Sequence, residues 1–421
     1  MISELSKLTN EVSRRTLMYS IAGMTMGLTA SMNSYASSSL SSSSRKKVVR
    51  VFMPGGMSHL DSFDPKPNNS NVMGNTKVIK TITGETISSF FPMMAKRMDK
   101  MALIRSLSSS EGDHDRGRYL FETSYPLLGT IKHPSLGAWM QRLNGVQNDA
   151  LPASVNIKSK FDAGFLGSSY DPFIVNKPES ALNGLVMDNP TSEESTKLLK
   201  LMAEVRKDFH KAYPVQGVDD YRKYYNDSIK LMRSTDLDAF DLTKESKEGQ
   251  KMYNIPHGSN FLLARRLLEA NVQYINLNID GWDDHFSLWD NERFPQKAKN
   301  LDKAFSTFLD DLKSRGMLED TVISFNSEFG RTTRINQRKG RDHHRKAFFG
   351  ILAGAGVNTG TVYGKTDESA EKVIENKVAP AEFNATLAHL AGIDINKEIF
   401  SSDNRPFTVA RGGKVISELI A

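Results

Sequence analysis

Apolar and polar positions alternate between two rhythms along this chain. "KKVVRVFMPGG", from Lys46 to Gly56, is a near-continuous apolar run closed by a double glycine, the pattern of a strand buried on both faces. "MALIRSL" (Met101 to Leu107) repeats it, followed by the polar loop "SSSEGDHDRGRY". "ASVNIK" is a short strand, "VQYINLNIDGWDDH" (Val272 to His285) a strong one, and "TVISFNSEFGR" and "AFFGILAGAG" two more. Between them the period lengthens. "HPSLGAWMQRL" (His133 to Leu143) reads as a helix start, with Pro134 in the first turn and Ser135 as a cap. "FPQKAKNLDKAFSTFLDDLKSRGML" spaces Ala298, Leu301, Phe305, Phe308, Leu309 and Leu312 by threes and fours, an amphipathic helix ending near Gly316. "APAEFNATLAHLAGI" predicts a late helix with Pro380 near its first turn. From about Asp188 to Arg266 the sequence is charged and helix-periodic, and reads as a helical insertion.

Continuous apolar strands alternating with helices predict an α/β fold. It is doubly wound, a mostly parallel sheet with helices on both faces, and ligands bind beyond the carboxyl ends of its strands. The sequence contains no internal repeat and no glycine-rich phosphate loop with its lysine.

The N-terminal segment follows neither rhythm. Arg14 and Arg15 precede a weakly apolar run, about Leu17 to Met32, too short and too rich in Gly, Ser and Thr to span a bilayer. Ser34-Tyr35-Ala36 offers small residues for a signal peptidase. Residues 1–36 therefore resemble a twin-arginine signal peptide, although Leu17-Met18 and Tyr19 depart from the usual Phe-Leu and Lys. An amphipathic helix with two chance arginines is the plainer alternative. Residues 37–46, mostly serine, read as a tether. A single α/β domain is expected over 47–421, in the periplasm or secreted, with no transmembrane span in the mature chain.

Composition narrows the chemistry. With 39% hydrophobic and 25% charged residues the chain can bury a large core. The 55 cations and 49 anions are interspersed, with a net charge of +6, so no basic stripe points to nucleic acid. There is no cysteine. That excludes disulfides, thiolate ligands and a catalytic thiol, and leaves His and carboxylates to hold any metal, the ligand set of Zn, Mn, Mg or Ca.

Such residues gather at predicted strand ends. "DGWDDH" supplies Asp283, Asp284 and His285; "NSEFGR" supplies Glu328 and Arg331; "GGMSHLDSFD" supplies Ser58, His59 and Asp61; and "GRDHH" supplies Arg341, Asp342, His343 and His344 just before a strand. The last group must arch over the sheet edge to join the others if its strand is parallel. Taken singly, each has an ordinary reading as a turn, cap or surface ion pair. Taken together they predict a divalent-metal site, with Asp283, His285, Glu328, Asp342, His343 and Asp61 as candidate ligands. Arg331 and Arg341 are expected to orient an oxyanion, with Ser58 and His114 as further candidate catalytic residues. His210, His257 and His389 read as structural, and Trp282 and Trp289 as packing.

In order along the chain, "GGMSHLDSFDPKP", "EGDHDRGRYLFETSY", "HPSLGAWM", "DGWDDH", "SEFGRT", "GRDHH", "GILAGAGVNTGTVYGKTDE" and "NRPF" resemble the DUF1501 proteins, exported bacterial proteins grouped with the alkaline phosphatase/sulfatase superfamily. The resemblance implies a doubly wound sandwich with a two-metal site at the strand ends. It implies that Asp283, His285 and His343 form one metal's ligand set. Where the superfamily has an Asp-His pair this chain offers Glu328, and near the ligating Asp of the first strand stands Ser58, with Asp61 three residues on. The superfamily nucleophile has no clear match; Ser106, Ser108, Ser109 and Ser110 are the region to search. The function expected is an exported, metal-dependent hydrolase of phosphate or sulfate esters, acting on a small anionic ester or a sulfated or phosphorylated glycan. The alternative is a non-catalytic envelope or glycan-binding protein on a hydrolase-like fold. A metal-dependent peptidase is a weaker third reading, because no HExxH helix is present.

Overall fold

A computed structural model describes residues 46–182, 230–231, 234–290 and 293–421. The expected leader, nearly all of the serine tether and the first part of the expected helical insertion lie outside them.

Eight strands build the central sheet: β1 (Lys47–Phe52), β2 (Met101–Leu107), β3 (Ser154–Ile157), β4 (Phe173–Val175), β5 (Tyr274–Asn278), β6 (Thr321–Asn326), β9 (Phe348–Gly354) and β10 (Val362–Tyr363). A two-stranded ribbon, β7 (Gly330–Arg331) with β8 (His343–His344), lies between β6 and β9 in the chain. The sheet order is β10-β2-β9-β6-β1-β5-β3-β4. Neighbours are parallel except β9, which is antiparallel to both β2 and β6.

Each strand divides its side chains between two cores, as the period of two requires. Val49 and Val51 of β1 join one cluster with Ile323, Phe325, Ile351 and Leu277. Val48 and Phe52 join the other with Val322, Leu352 and Tyr274. Helices cover both faces. On the first lie α3 (Gly258–Glu269) and α4 (Phe294–Ser314), the latter burying the predicted stripe from Ala298 to Leu312. On the second lie α1 (His114–Thr123), α2 (Leu136–Asn144) and α5 (Pro380–Leu390). The architecture is the doubly wound α/β sandwich that the sequence pattern predicts. Within the expected insertion, the residues from 234 onward form two short 3-10 turns and a helix (Lys247–Met252), then lead into α3.

Two features aim the chain at one sheet edge. Arg50, fully buried on β1, donates from Nη2 to the Phe121 carbonyl at 2.8 Å and lies 3.7 Å from Glu122, which pins α1 across the sheet. The antiparallel course of β9 is the second. The segment between β6 and β9 crosses no face of the sheet; it folds into the ribbon at the edge where β6 ends and re-enters from there. The histidines before β9 therefore sit at the carboxyl ends of β1, β5 and β6 without arching over them, as a parallel strand would have required.

Candidate metal centre

The loops after β1 and β5 meet first. Gly55 has φ +116°, and a Cβ added there would lie 2.5 Å from the Asp283 nitrogen, so only glycine allows this approach. The β5 loop carries Asp283 and His285, the β6 end carries Glu328, and the ribbon pairs His343 with Arg331. From the other side comes α1. Its N-cap Asp113 accepts from the Arg116 nitrogen, and His114 is its first residue.

Side chains from four segments converge here. The ligating atoms of His114, Asp283 and His343 all lie within 4.8 Å of one another. His114 Nε2 and His343 Nε2 are each 3.4 Å from Asp283 Oδ1, and His285 Nε2 is 3.0 Å from it. His285 Nε2 and His343 Nε2 are 3.0 Å apart.

The opposite nitrogen of each ring fixes its state. His114 Nδ1 lies 2.7 Å from Glu328 Oε1, His285 Nδ1 2.8 Å from Asp342 Oδ1, and His343 Nδ1 2.9 Å from the Gly112 carbonyl. An ionised carboxylate and a carbonyl can only accept, so each Nδ1 carries the hydrogen and a neutral ring presents its Nε2 lone pair inward. This is the outer-shell arrangement that holds metal-ligating histidines.

Charge follows the same plan. Burial works to raise the Asp283 carboxyl, but Arg331's hydrogen bond and charge outweigh it and hold the group well below the usual carboxylate range. Burial likewise opposes ionisation of Glu328, and the His114 hydrogen bond with backbone donors more than offsets it. The Glu328 hydrogen bond raises His114, while burial lowers His343.

The donors fit a divalent cation. Neutral imidazole nitrogens with one carboxylate oxygen suit zinc and its neighbours, and ligands about 2.0–2.1 Å from a tetrahedral ion stand about 3.3 Å apart. The spacings of 3.0–3.4 Å match. His114 Nε2 is buried with no hydrogen-bond partner. Two inward lone pairs 3.0 Å apart on His285 and His343 also repel unless a proton or cation lies between them. Among the described residues His114, Asp283 and His343 are the single such group, and His285 stands beside it, close to Asp283 and His343.

Other predicted site residues are placed differently. Glu328, fully buried, spends Oε1 on His114, the Gly55 nitrogen at 2.9 Å and Arg118 Nε at 3.4 Å, so it stands behind the His114 ring. Asp342 does the same for His285. Arg331 does not face an oxyanion. It is fully buried, donating to the Gly56 carbonyl at 2.7 Å, the Arg341 carbonyl at 3.0 Å and Asp283. Arg341 is buried too, against Asp61 Oδ2 at 2.7 Å and the Thr333 carbonyl at 2.7 Å. Asp61 is thereby the partner of a buried arginine, outside the His114, Asp283 and His343 group. It also accepts from Ser58 Oγ at 2.5 Å, which turns that hydroxyl away from any attack, and from Trp289 Nε1 at 3.1 Å. His114, expected as catalytic, stands among the ligand-type groups. His344 faces the other way, onto the Glu371 carbonyl at 2.7 Å.

Ser106 is buried, and Ser108, Ser109 and Ser110 line a neighbouring cleft. Among the described residues no Ser or Thr hydroxyl bonds to His114, Asp283, His285 or His343. Arg118 escaped the sequence reading. It lies four residues after His114, hence on the same helix face, and its half-exposed guanidinium adjoins the centre through Glu328.

The family model described as "Protein of unknown function (DUF1501)" matches residues 45–420. The chain belongs to the DUF1501 family. No curated protein matches it. Solved structures resemble this DUF1501 chain at low identity. An alkaline phosphatase superfamily protein from Vibrio parahaemolyticus is 10% identical, covering 90% of this chain and 71% of that one, with TM-score 0.42. The phosphonate monoester hydrolase SpPMH from Silicibacter pomeroyi is 11% identical, covering 88% and 76%, with TM-score 0.40. The PsFucS1 sulfatase from Pseudoalteromonas sp. is 13% identical, covering 88% and 73%, with TM-score 0.39. No helix among the described residues is long and apolar enough to cross a membrane.

Proposed function

We propose that this DUF1501 protein is a metal-dependent hydrolase of phosphate or sulfate esters, working in the periplasm or outside the cell. The observation that carries the reading is the convergence of three anchored imidazoles on Asp283. A cation held by His114, Asp283 and His343, with His285 beside them, would supply Lewis-acid polarisation of an ester oxygen. Everything else is done by the chain. Glu328, Asp342 and the Gly112 carbonyl fix the three rings, and Arg331 fixes Asp283 from beneath. Arg118 offers positive charge to the ester oxyanion. Water adds at phosphorus or sulfur, the bond to the alkoxy oxygen breaks, and alcohol and phosphate or sulfate leave.

The test is direct. The protein is loaded in turn with Zn, Mn, Mg and Ca and assayed on 4-nitrophenyl phosphate and 4-nitrophenyl sulfate. Turnover of one ester that is lost in His343→Ala is expected. Metal bound at equal stoichiometry by both proteins refutes the site. Metal bound specifically but without turnover favours a second reading, a non-catalytic glycan-binding protein, for which the lack of a hydroxyl bonded to the centre speaks. The address rests on Arg14 and Arg15. Replacing both by Lys should leave the protein in the cytoplasm, and unchanged export would reject that route.

A further inference from the structure

The metal centre opens onto clefts that it does not itself need. One, of about 470 Å³, is lined by His343 and Gly112, which belong to the centre's shell, and by Arg345 and Lys346. A second, of about 570 Å³, is lined by the same Arg345 and Lys346 together with Ser108, Ser109, Ser110, Lys372 and Lys377. The two therefore adjoin. Both volumes fall in the range of about 300–1,000 Å³ that accepts small ligands.

The second cleft is electrically one-sided. Its lining holds four cationic side chains and no carboxylate. Arg345 is tied across it by donating from Nη1 to the Ser110 carbonyl. Lys346, Lys372 and Lys377 are exposed and make no ion pair with a described residue. Other cations are paired, Arg97 and Lys100 with Asp310, Arg265 and Arg266 with Glu245, and the unpaired Lys303 and Lys313 lie on an open helix face instead of in a cleft. Three unpaired lysines facing one cleft raise its potential, and the nearest lining carboxylates, Glu111 and Asp113, belong to the adjoining cleft. The serine hydroxyls add donors. The second cleft has no aromatic side chain in its lining, so a nucleic acid would find no surface there for its bases to stack on.

We propose that Arg345, Lys346, Lys372 and Lys377 form a second anion subsite, distinct from the metal centre. It takes another charged group of a glycan that carries several sulfate or phosphate substituents. The inference rests on the ester-hydrolase reading for what happens at the centre, but not for binding. On this account the protein selects chains of charge over lone monoesters.

The test compares Lys372→Ala/Lys377→Ala with a control of equal charge loss, Lys303→Ala/Lys313→Ala, on the exposed side of α4. Binding of a heparin-derived hexasaccharide is measured by calorimetry at several salt concentrations, beside turnover of the 4-nitrophenyl ester. The cleft variant should bind about tenfold more weakly at low salt and lose about 1–2 from the slope of log affinity against log salt. The control should bind like the native protein, and monoester turnover should be unchanged in both. Equal loss in the control, or tight binding of a thymidine oligomer of matched charge, overturns the subsite. Hexasaccharide binding that depends on the two lysines, in a protein that turns over neither ester, keeps the subsite and rejects the hydrolase.

Discussion

Replacing Glu328 by Gln tests whether the centre works through its buried anchors. The side chain is fully buried and Oε1 accepts from His114 Nδ1 at 2.7 Å and the Gly55 nitrogen at 2.9 Å. Oε2 accepts from Ser327 Oγ at 3.0 Å. Gln fits this cage. Its carbonyl oxygen can keep His114 and Gly55, and its amide can donate to Ser327, whose hydroxyl still donates to the Met53 carbonyl at 2.6 Å. What disappears is the charge. His114 loses the anion that raises its basicity, and Arg118 loses its partner.

Removing such a supporting carboxylate typically weakens metal binding by about 10–100-fold. The effect can be read without any substrate. At metal 100 times the native Kd, binding stabilises the fold by about 2.7 kcal/mol. At the same concentration the variant would gain only about 0.4–1.4 kcal/mol. Urea unfolding with and without metal measures the difference, and competition with a chelator measures Kd. A variant that folds, binds zinc within twofold of the native protein and gains the same stabilisation would show that Glu328 has only a packing role. His343→Ala should remove the metal-dependent gain altogether, because the ligand itself is gone.

Arg331→Met strips a buried guanidinium from four carbonyls and Asp283; a loss of about 3–5 kcal/mol in unfolding free energy is expected. Lys at that position should recover little of it, and a change below about 1 kcal/mol would refute the structural role. Gly55→Ala should displace the Asp283 loop and reduce both stability and metal affinity, since its Cβ would meet the Asp283 nitrogen at 2.5 Å; native metal affinity in that variant would count against the close approach. Asp302 predicts a pH effect far from the centre. Burial raises its carboxyl from 3.8 to about 6, although it caps the Met93 and Met94 nitrogens. Between those values the folded chain keeps a proton the unfolded chain has lost, so this group's contribution to stability falls as pH rises, by about 3 kcal/mol in all. Asp302→Asn should therefore gain on the native protein between pH 4 and pH 7, and parallel stability profiles would refute the raised value.

The layers of the fold are written plainly in the sequence, because burial on both faces forces continuous apolar strands and α4 must present one stripe to the sheet. Direction is not. The run that became β9 is as apolar as the strands that run parallel to one another, and nothing in it says which way it points. Its direction follows from the short ribbon before it, which returns the chain at the edge where β6 ends. That single reversal carries His343 to Asp283.

The candidate site was legible as a set of residue types and illegible as a set of roles. Asp283 and Asp284 are adjacent and chemically equal, yet Asp284 is buried against Lys297 at 2.7 Å while Asp283 turns to the imidazoles. His343 and His344 occupy opposite faces of one ribbon strand, so only the first can reach the centre. Arg331 and Arg341 look in sequence like groups offered to an anion. Burial converts both into braces, because every guanidinium nitrogen of each is bonded to a carbonyl or carboxylate inside the fold. The anchor on His343 is a backbone carbonyl, at Gly112, and a backbone group leaves no mark in a string of side chains. Histidines and carboxylates near strand ends therefore announce a centre, but which of them face inward is decided by the partners behind them. Those partners come from the loop before α1 and from the stretch 328–342, far apart in the chain, and only the folded sheet edge brings them together.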